Sequence, residues 1–204
     1  MKQVRYAALA VLALLIAAPP SLGIQDSGGV RIHGWALSFG TIATGKNETI
    51  QIDVTRWSPM ALRDDLLKTM LEKGQNGLLN KLQDQPEVGR WRFPGYMGPD
   101  PNNIYRLGTP IRYAMNHPGE DGGRRIVLLT DRIMGFQEIR NQPRTVDYPF
   151  TLMELRFDKS GTGEGKMLWY TQFDFNKKRQ QLEIENYSSE PVRLNQLRLE
   201  PLKR

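Results

Sequence analysis

Short stretches in which apolar and polar side chains alternate limit the possible folds of this chain more than any other feature. Residues 50–55 alternate strictly between the two types, and in residues 111–116 large apolar side chains alternate with smaller or polar ones. A period of two is typical of a β-strand with one buried face. Residues 126–129 instead form a short apolar run, which is typical of a strand buried on both faces. With turn-forming residues between such segments, the chain predicts about nine strands.

One region follows a helical period instead. In residues 59–73, leucine and methionine side chains recur at intervals of about four, which gives an apolar stripe along a helix. Ser58 is a typical helix-capping residue, Pro59 suits the first helical position, and Gly74 is a typical stop. Residues 77–84 predict a second, shorter helix. We therefore predict a mainly β fold: an antiparallel β-sandwich or flattened barrel of about nine strands, with this helix pair covering one end or an open edge.

The last predicted strand changes the face on which its apolar side chains lie. They move from Val192 and Leu194 to Leu197 and Leu199, which have the opposite parity. Alternation changes face only where an extra residue is inserted into the strand. The sequence therefore predicts a β-bulge near residues 195–196.

The first 23 residues have the features of a secretory signal peptide. Lys2 and Arg5 precede an uncharged, largely apolar run over residues 6–18. Two prolines then break any helix, and Ser21 and Gly23 place small residues at the two positions that a signal peptidase reads. Because this run is shorter than the ~20 residues of a bilayer-spanning helix, we expect cleavage after Gly23 and no stable membrane span afterwards. The predicted location is outside the cytoplasm, in the periplasm or the extracellular space. Residues 24–204 are then expected to form a single β-rich domain.

The composition excludes several classes of function. The chain has no cysteine, which removes disulfides, thiolate metal sites, cysteine nucleophiles and a cysteine lipid anchor. Its 28 basic and 22 acidic side chains give a net charge of +6, and its basic clusters lack interleaved aromatic residues. That combination does not favour nucleic-acid binding. We expect no nucleic-acid partner and no cofactor.

Three blocks in the second half of the chain are distinctive. They are Arg-Ile-Val-Leu-Leu-Thr-Asp-Arg at 125–132, Asp-Tyr-Pro-Phe-Thr at 147–151 and Gly-Glu-Gly-Lys at 163–166. In these blocks the chain resembles a group of uncharacterised exported bacterial proteins, and the similarity covers most of the chain after the leader. The resemblance implies export and a single domain, and it assigns no activity, ligand or catalytic residue.

A possible cation loop follows Phe157. Oxygen-bearing side chains occupy alternate positions, as they do in calcium loops, and a glycine stands sixth. These candidate ligands are Asp158, Ser160, Thr162 and Glu164. Because Trp169 stands where such a loop has its bidentate carboxylate, we favour a plain hairpin turn over a metal site.

Asp131, Glu154 and His117 are the candidates for catalysis. A pair of carboxylates can act as the acid and base of a hydrolase, and a histidine can transfer protons or bind zinc together with His33. However, the chain has no Gly-x-Ser-x-Gly motif, and arginines such as Arg156 are natural partners for Glu154. We therefore favour a structural ion pair or an exposed face over catalysis.

Aromatic residues in the predicted strands are the candidates for ligand binding. Core packing is their usual role, but Trp169 and Tyr170 should face opposite sides of one strand, so one face can line a cavity. The candidate ligand-binding residues are Trp169, Tyr170, Tyr113 and Phe173. We expect a non-enzymatic binding module for an apolar or amphipathic small molecule or a cell-envelope partner. The alternatives are an envelope-directed hydrolase with carboxylates near Asp131 and Glu154, and a structural or assembly component.

Overall fold

The computed structural model describes residues 28–39, 45–95, 108–119, 122–131, 149–176, 181–186 and 190–202. Within these ranges the chain forms ten strands and one helical element, α1 (Met60–Gln83). The strands are β1 (Val30–Leu37), β2 (Asn47–Val54), β3 (Gly89–Arg92), β4 (Thr109–Ile111), β5 (Tyr113–Pro118), β6 (Arg124–Thr130), β7 (Phe150–Phe157), β8 (Thr162–Asn176), β9 (Gln181–Asn186) and β10 (Val192–Pro201). The predicted leader, residues 1–23, lies outside the described residues. In the part of the chain described here, no helix has both the length and the apolar character needed to cross a membrane.

The strands form one antiparallel sheet that curves into a nearly closed barrel. The pairing order is β4-β3-β2-β1-β10-β8-β7-β6-β5, and β9 pairs with β8 beyond the barrel. Its two ends, β4 and β5, are consecutive in the chain and are separated only by Arg112. The amide of Arg112 donates to the carbonyl of Leu129, 3.1 Å away on β6. The mainly β, barrel-like fold predicted from alternation is thus confirmed.

Residues 55–58 fill the remaining gap between β3 and β5. The amide of Thr55 donates to the carbonyl of Val88, and the amide of Ser58 donates to the carbonyl of Ala114. The Ser58 hydroxyl accepts a hydrogen bond from the amide of Ala114 at 3.1 Å. The expected capping role of Ser58 is therefore wrong, because its side chain satisfies the β5 backbone while Pro59 stands at the N-cap of α1.

Two apolar cores stabilise the fold. The first fills the barrel interior, and its largest fully buried side chains include Trp91, Trp169, Ile32, Leu128 and Met153. The second lies outside the barrel, between α1 and the outer face of β5 to β8. These four strands therefore bury both faces over part of their length, which explains the continuous apolar stretches at 113–115, 126–129 and 167–169.

The helical element is a hairpin rather than a straight rod. Gly74 has a non-helical backbone (φ 67°, ψ −166°) between segments 60–73 and 75–83. Asp65 and Lys81 would lie about 24 Å apart in a straight helix, yet Lys81 Nζ lies 2.6 Å from Asp65 Oδ2. The predicted helix pair is present, and we call it the helical hairpin.

Two bulges adjust the long strands. In β10 the register shifts between Leu194 and Leu197, and Gln196 has a φ of 52°, which confirms the predicted bulge. In β8 the register shifts near Tyr170, whose φ is 51°. Both Trp169 and Tyr170 therefore contact the barrel core. The prediction that they face opposite sides is wrong, because an inserted residue breaks the alternation.

Candidate functional site

A cleft lies between the helical hairpin and the outer face of β5 to β8, and its cavity has a volume of about 50 Å³. Nine of its ten lining residues are apolar or aromatic, and the tenth is an arginine. The lining residues are Arg63, Leu66, Leu67, Met70, Leu78, Tyr113, Val127, Leu129, Leu152 and Phe173. The cleft therefore combines an oily surface with a single cationic side chain.

Helical and strand periodicity together build this cleft. Arg63, Leu66 and Met70 recur at spacings of three and four, so they lie on one face of segment 60–73. Below them, the register places one apolar row across four neighbouring strands. This row consists of Tyr113, Leu129, Leu152 and Leu168. The helical stripe and the strand row face each other because both are apolar.

The outer face of the sheet becomes charged four residues along each strand from this apolar row. There the register places His117 opposite Arg125, and Arg125 opposite Arg156. We call these three residues the basic row. The apolar row under the cleft and the basic row thus lie about 13 Å apart along the strands.

Arg63 is the unusual member of the lining. The residue is only 8 % exposed, although arginine is almost never buried without a partner. Its Nη1 lies 3.5 Å from Oδ1 of the adjacent Asp64, whose side chain is 69 % exposed. Within the described ranges its Nε has no hydrogen-bond partner. The buried guanidinium is therefore poorly compensated.

The charge of Arg63 acts on two titratable neighbours. Burial raises the pKa of the Tyr113 hydroxyl, and the positive charge of Arg63 opposes part of that rise. The hydroxyl donates to Sδ of Met115 at 3.3 Å. Burial is also the main cause that lowers the pKa of His117, and the charges of Arg63 and Arg125 lower it further. Both side chains are thus favoured in their neutral forms.

Glu154 is a buried, paired carboxylate. Its Oε1 lies 2.6 Å from Nη2 of Arg125 and 3.0 Å from Nη2 of Arg156. The Arg125 side chain is 10 % exposed and the Arg156 side chain is 61 % exposed. This arrangement agrees with the structural ion pair that the sequence favoured, and it names Arg125 as the buried partner.

Asp131 is not brought together with Glu154. Its Oδ1 lies 3.6 Å from Nε of Arg112. Glu154 lies opposite Val127, four residues from Asp131, which is about 13 Å along a strand. The two carboxyl groups of a glycosidase lie only ~5–9.5 Å apart. The two carboxylates therefore occupy separate ion pairs rather than one shared site.

The candidate cation loop is a hydrogen-bonded turn between β7 and β8. Asp158 Oδ1 accepts from the hydroxyl of Ser160 at 2.6 Å, from its amide at 2.7 Å and from the amide of Thr162 at 3.1 Å. The Ser160 hydroxyl is the main cause that lowers the pKa of Asp158. Glu164 lies further along β8, opposite Arg156. The Asp158 carboxylate thus stabilises the turn itself.

The two histidines lie apart in the sheet. His33 Nε2 lies 3.4 Å from Glu200 on β10, whereas His117 is opposite Arg125 on β6. Among the described residues, no group of three or more His, Cys, Asp or Glu side chains is placed to hold a metal ion.

Of the four aromatic candidates, the structure brings two to the cleft. Tyr113 and Phe173 line it, whereas Trp169 belongs to the barrel core and Tyr170 packs against that core. Arg63 is the site residue that the sequence patterns did not reveal. Its one signal is its position three residues before Leu66, on the apolar stripe of the helix.

Comparison of the chain with protein-family models, with curated proteins and with solved structures finds no match.

Proposed function

We propose that this protein is an exported, non-enzymatic binding module that takes an apolar or amphipathic small molecule into the cleft under the helical hairpin. The observation that carries the proposal is the lining, which is apolar or aromatic at nine of ten residues. Ligand pockets are typically lined in this way, with a few polar groups that fix orientation. Export is supported by the signal-peptide features of residues 1–23.

The barrel interior is a poorer candidate for the ligand. Small barrels hold a ligand only where side chains leave the interior open. Here Trp91, Trp169 and Met153 point into the interior and are almost completely buried. The exterior cleft is therefore the better place for a bound molecule.

The hairpin must move outward to admit a ligand. A cavity of about 50 Å³ compares with the ~30 Å³ that one water occupies and the ~300–1,000 Å³ of typical ligand pockets. Gly74 provides a bend at which the two helical segments can reorient. The segment after the bend is tied to β8 by a hydrogen bond from the Phe173 amide to Gln75 Oε1 at 2.9 Å, which opening must break.

Binding of the neutral fluorophore N-phenyl-1-naphthylamine tests the proposal. We expect saturable binding to one site, with a rise in fluorescence. Leu66→Trp fills the cleft and should weaken binding at least about tenfold, because the larger side chain occupies the ligand's volume. Leu71→Trp is the matched control, since Leu71 lies on the same helical segment but is exposed.

Two results would contradict the proposal. One is the absence of saturable fluorophore binding to the folded wild-type protein. The other is equal affinity in Leu66→Trp and Leu71→Trp, which would place the fluorophore elsewhere. Circular dichroism of both variants shows whether they fold, since overpacking a core costs ~1–3 kcal/mol against a total stability of ~5–15 kcal/mol.

A further inference from the structure

We infer that the ligand is a single-chain amphiphile with a carboxylate head group, and that Arg63 binds this head group at the edge of the cleft. The inference rests on the proposed function and adds the chemical class of the ligand. Its basis is the juxtaposition of one poorly compensated guanidinium with an otherwise apolar lining.

The first observation is that the hydrogen bonds of Arg63 are incomplete. A guanidinium has five N–H donors, and a buried one is normally paired. The contact with Asp64 is long, at 3.5 Å, and Asp64 is the adjacent residue with an exposed side chain. Among the described residues nothing accepts a hydrogen bond from the buried Nε. A planar carboxylate matches the donor geometry of this group and can accept two parallel hydrogen bonds.

The second observation is the positive charge on the sheet near Arg63. Two arginines of the basic row, Arg125 and Arg156, share the single carboxylate of Glu154. The register adds Glu164 opposite Arg156 and Lys166 opposite Glu154, so three cations and two anions leave the group a net charge of +1. Arg125 of this group lies near enough to Arg63 for both to act on His117. A cationic head group would be repelled here, and a neutral head group would leave the positive charge of the Arg63 guanidinium poorly compensated. An anionic head group gains from both sources of charge.

The third observation is the length of the apolar surface under the cleft. The floor of the cleft runs from Tyr113 on β5 to Phe173 on β8, across four strands. Neighbouring strands lie ~4.8 Å apart, so three steps give about 14 Å. A surface of this length suits an extended alkyl chain lying across the strands.

A head-group series tests the inference by displacement of N-phenyl-1-naphthylamine. The competitors are decanoate, 1-decanol and decyltrimethylammonium, which share one chain length and differ in charge. We expect decanoate to bind about 10- to 100-fold more tightly than decanol, as charge-assisted hydrogen bonds imply. Decyltrimethylammonium should be the weakest competitor.

Variants then assign the preference to Arg63. Arg63→Met keeps an alkyl stem of similar length without the charge, and it should reduce decanoate binding to the level of decanol. Arg63→Lys keeps the charge without the planar donor pair, so it should retain part of the preference. Arg193→Met is the matched control, because it removes the same charge from β10, where the guanidinium lies over Phe39.

The outcomes separate this inference from the proposed function. If decanoate and decanol compete equally in the wild type, the inference is wrong and the apolar cleft stands. If the fluorophore itself does not bind, both fail. If Arg63→Met is folded and still prefers decanoate, Arg63 is not the group that holds the head group. The wild-type series decides the ligand class even if an Arg63 variant does not fold.

Discussion

Replacing Glu154 with glutamine is expected to destabilise the fold by about 3 kcal/mol. The substitution keeps the shape of the side chain and removes the negative charge that pairs with the buried Arg125. Breaking a buried ion pair from one side typically costs ~3–5 kcal/mol, because the remaining charge has no partner. The amide oxygen of glutamine can still accept one hydrogen bond, which places the expected cost at the lower end. Arg156 adds little to it, since its side chain is 61 % exposed and is solvated by water.

Urea unfolding followed by far-UV circular dichroism measures this cost. With a denaturant dependence of ~2 kcal/mol per molar urea, a loss of about 3 kcal/mol lowers the midpoint by about 1.5 M. Arg156→Gln is the control and should cost less than about 1 kcal/mol. The double variant Arg125→Met/Glu154→Leu should recover most of the loss, because a buried ion pair can be replaced by apolar side chains. A Glu154→Gln midpoint within 0.5 M of wild type, on the order of 1 kcal/mol, would refute the assignment of Glu154 as a structural anion.

Three further predictions concern the hairpin, the histidine and the barrel core. Gly74→Ala should destabilise the protein by ~1–3 kcal/mol, measured by urea unfolding, because the φ of 67° and ψ of −166° of Gly74 suit only glycine. Gly28→Ala, at an open position, is the control and should cost almost nothing. Equal losses of stability in the two variants would contradict a backbone cause. Burial lowers the pKa of His117 below its ordinary value of 6.5, so the unfolded chain takes up the proton first. Stability is therefore lost as the pH falls from 6.5 through the folded-state pKa of His117. His117→Gln should reduce the change in urea midpoint between about pH 7.5 and 5.5. If the variant shows the same change of midpoint with pH as the wild type, the prediction is wrong. Leu128→Ala should cost ~2–5 kcal/mol because Leu128 is fully buried in the barrel, whereas Leu71→Ala on the exposed helix surface should stay within ~0.5 kcal/mol; a small Leu128 effect would indicate a loosely packed interior.

The limits of sequence-based prediction are clearest in the two bulges. In β10, exposed polar residues separate the apolar ones, so a change of parity between Leu194 and Leu197 is visible in the sequence. In β8 the bulge follows three buried apolar residues in a row, at 167–169. Where both faces of a strand are buried, side-chain type no longer reports direction. The orientation of Tyr170 could therefore not be predicted from alternation.

The same loss of information applies to the choice between sandwich and barrel. Alternation reports which strands have a buried face, but closure depends on the pairing of β1 with β10, at opposite ends of the described chain. That pairing leaves no local pattern in either strand. The helix pair was easier to predict, because its apolar stripe and Gly74 are local signals.

The candidate site could be predicted only in part. Tyr113 and Phe173 were candidates because they are aromatic residues in strand-like sequence, and both line the cleft. The same criterion also selected Trp169 and Tyr170, which pack in or against the barrel core instead. Arg63 was not a candidate, because an arginine in the first turns of a helix normally lies in solvent with its charge exposed. Only the packing of α1 against the sheet shows that this arginine is buried.

The two-core arrangement gives a physical reason for the cleft to lie where it does. The barrel interior has its own complete apolar core, so the strands can hold their register without the helical hairpin. The hairpin covers the second apolar face of β5 to β8, and it leaves a small cavity there rather than a close-packed layer. Local opening of a region costs less when the main core is unaffected. A hairpin that is fixed at residues 55–58 and bent at Gly74 can therefore separate from the sheet while the barrel stays folded. Arg63 lies in this movable layer, where a negatively charged ligand can reach it as the hairpin opens.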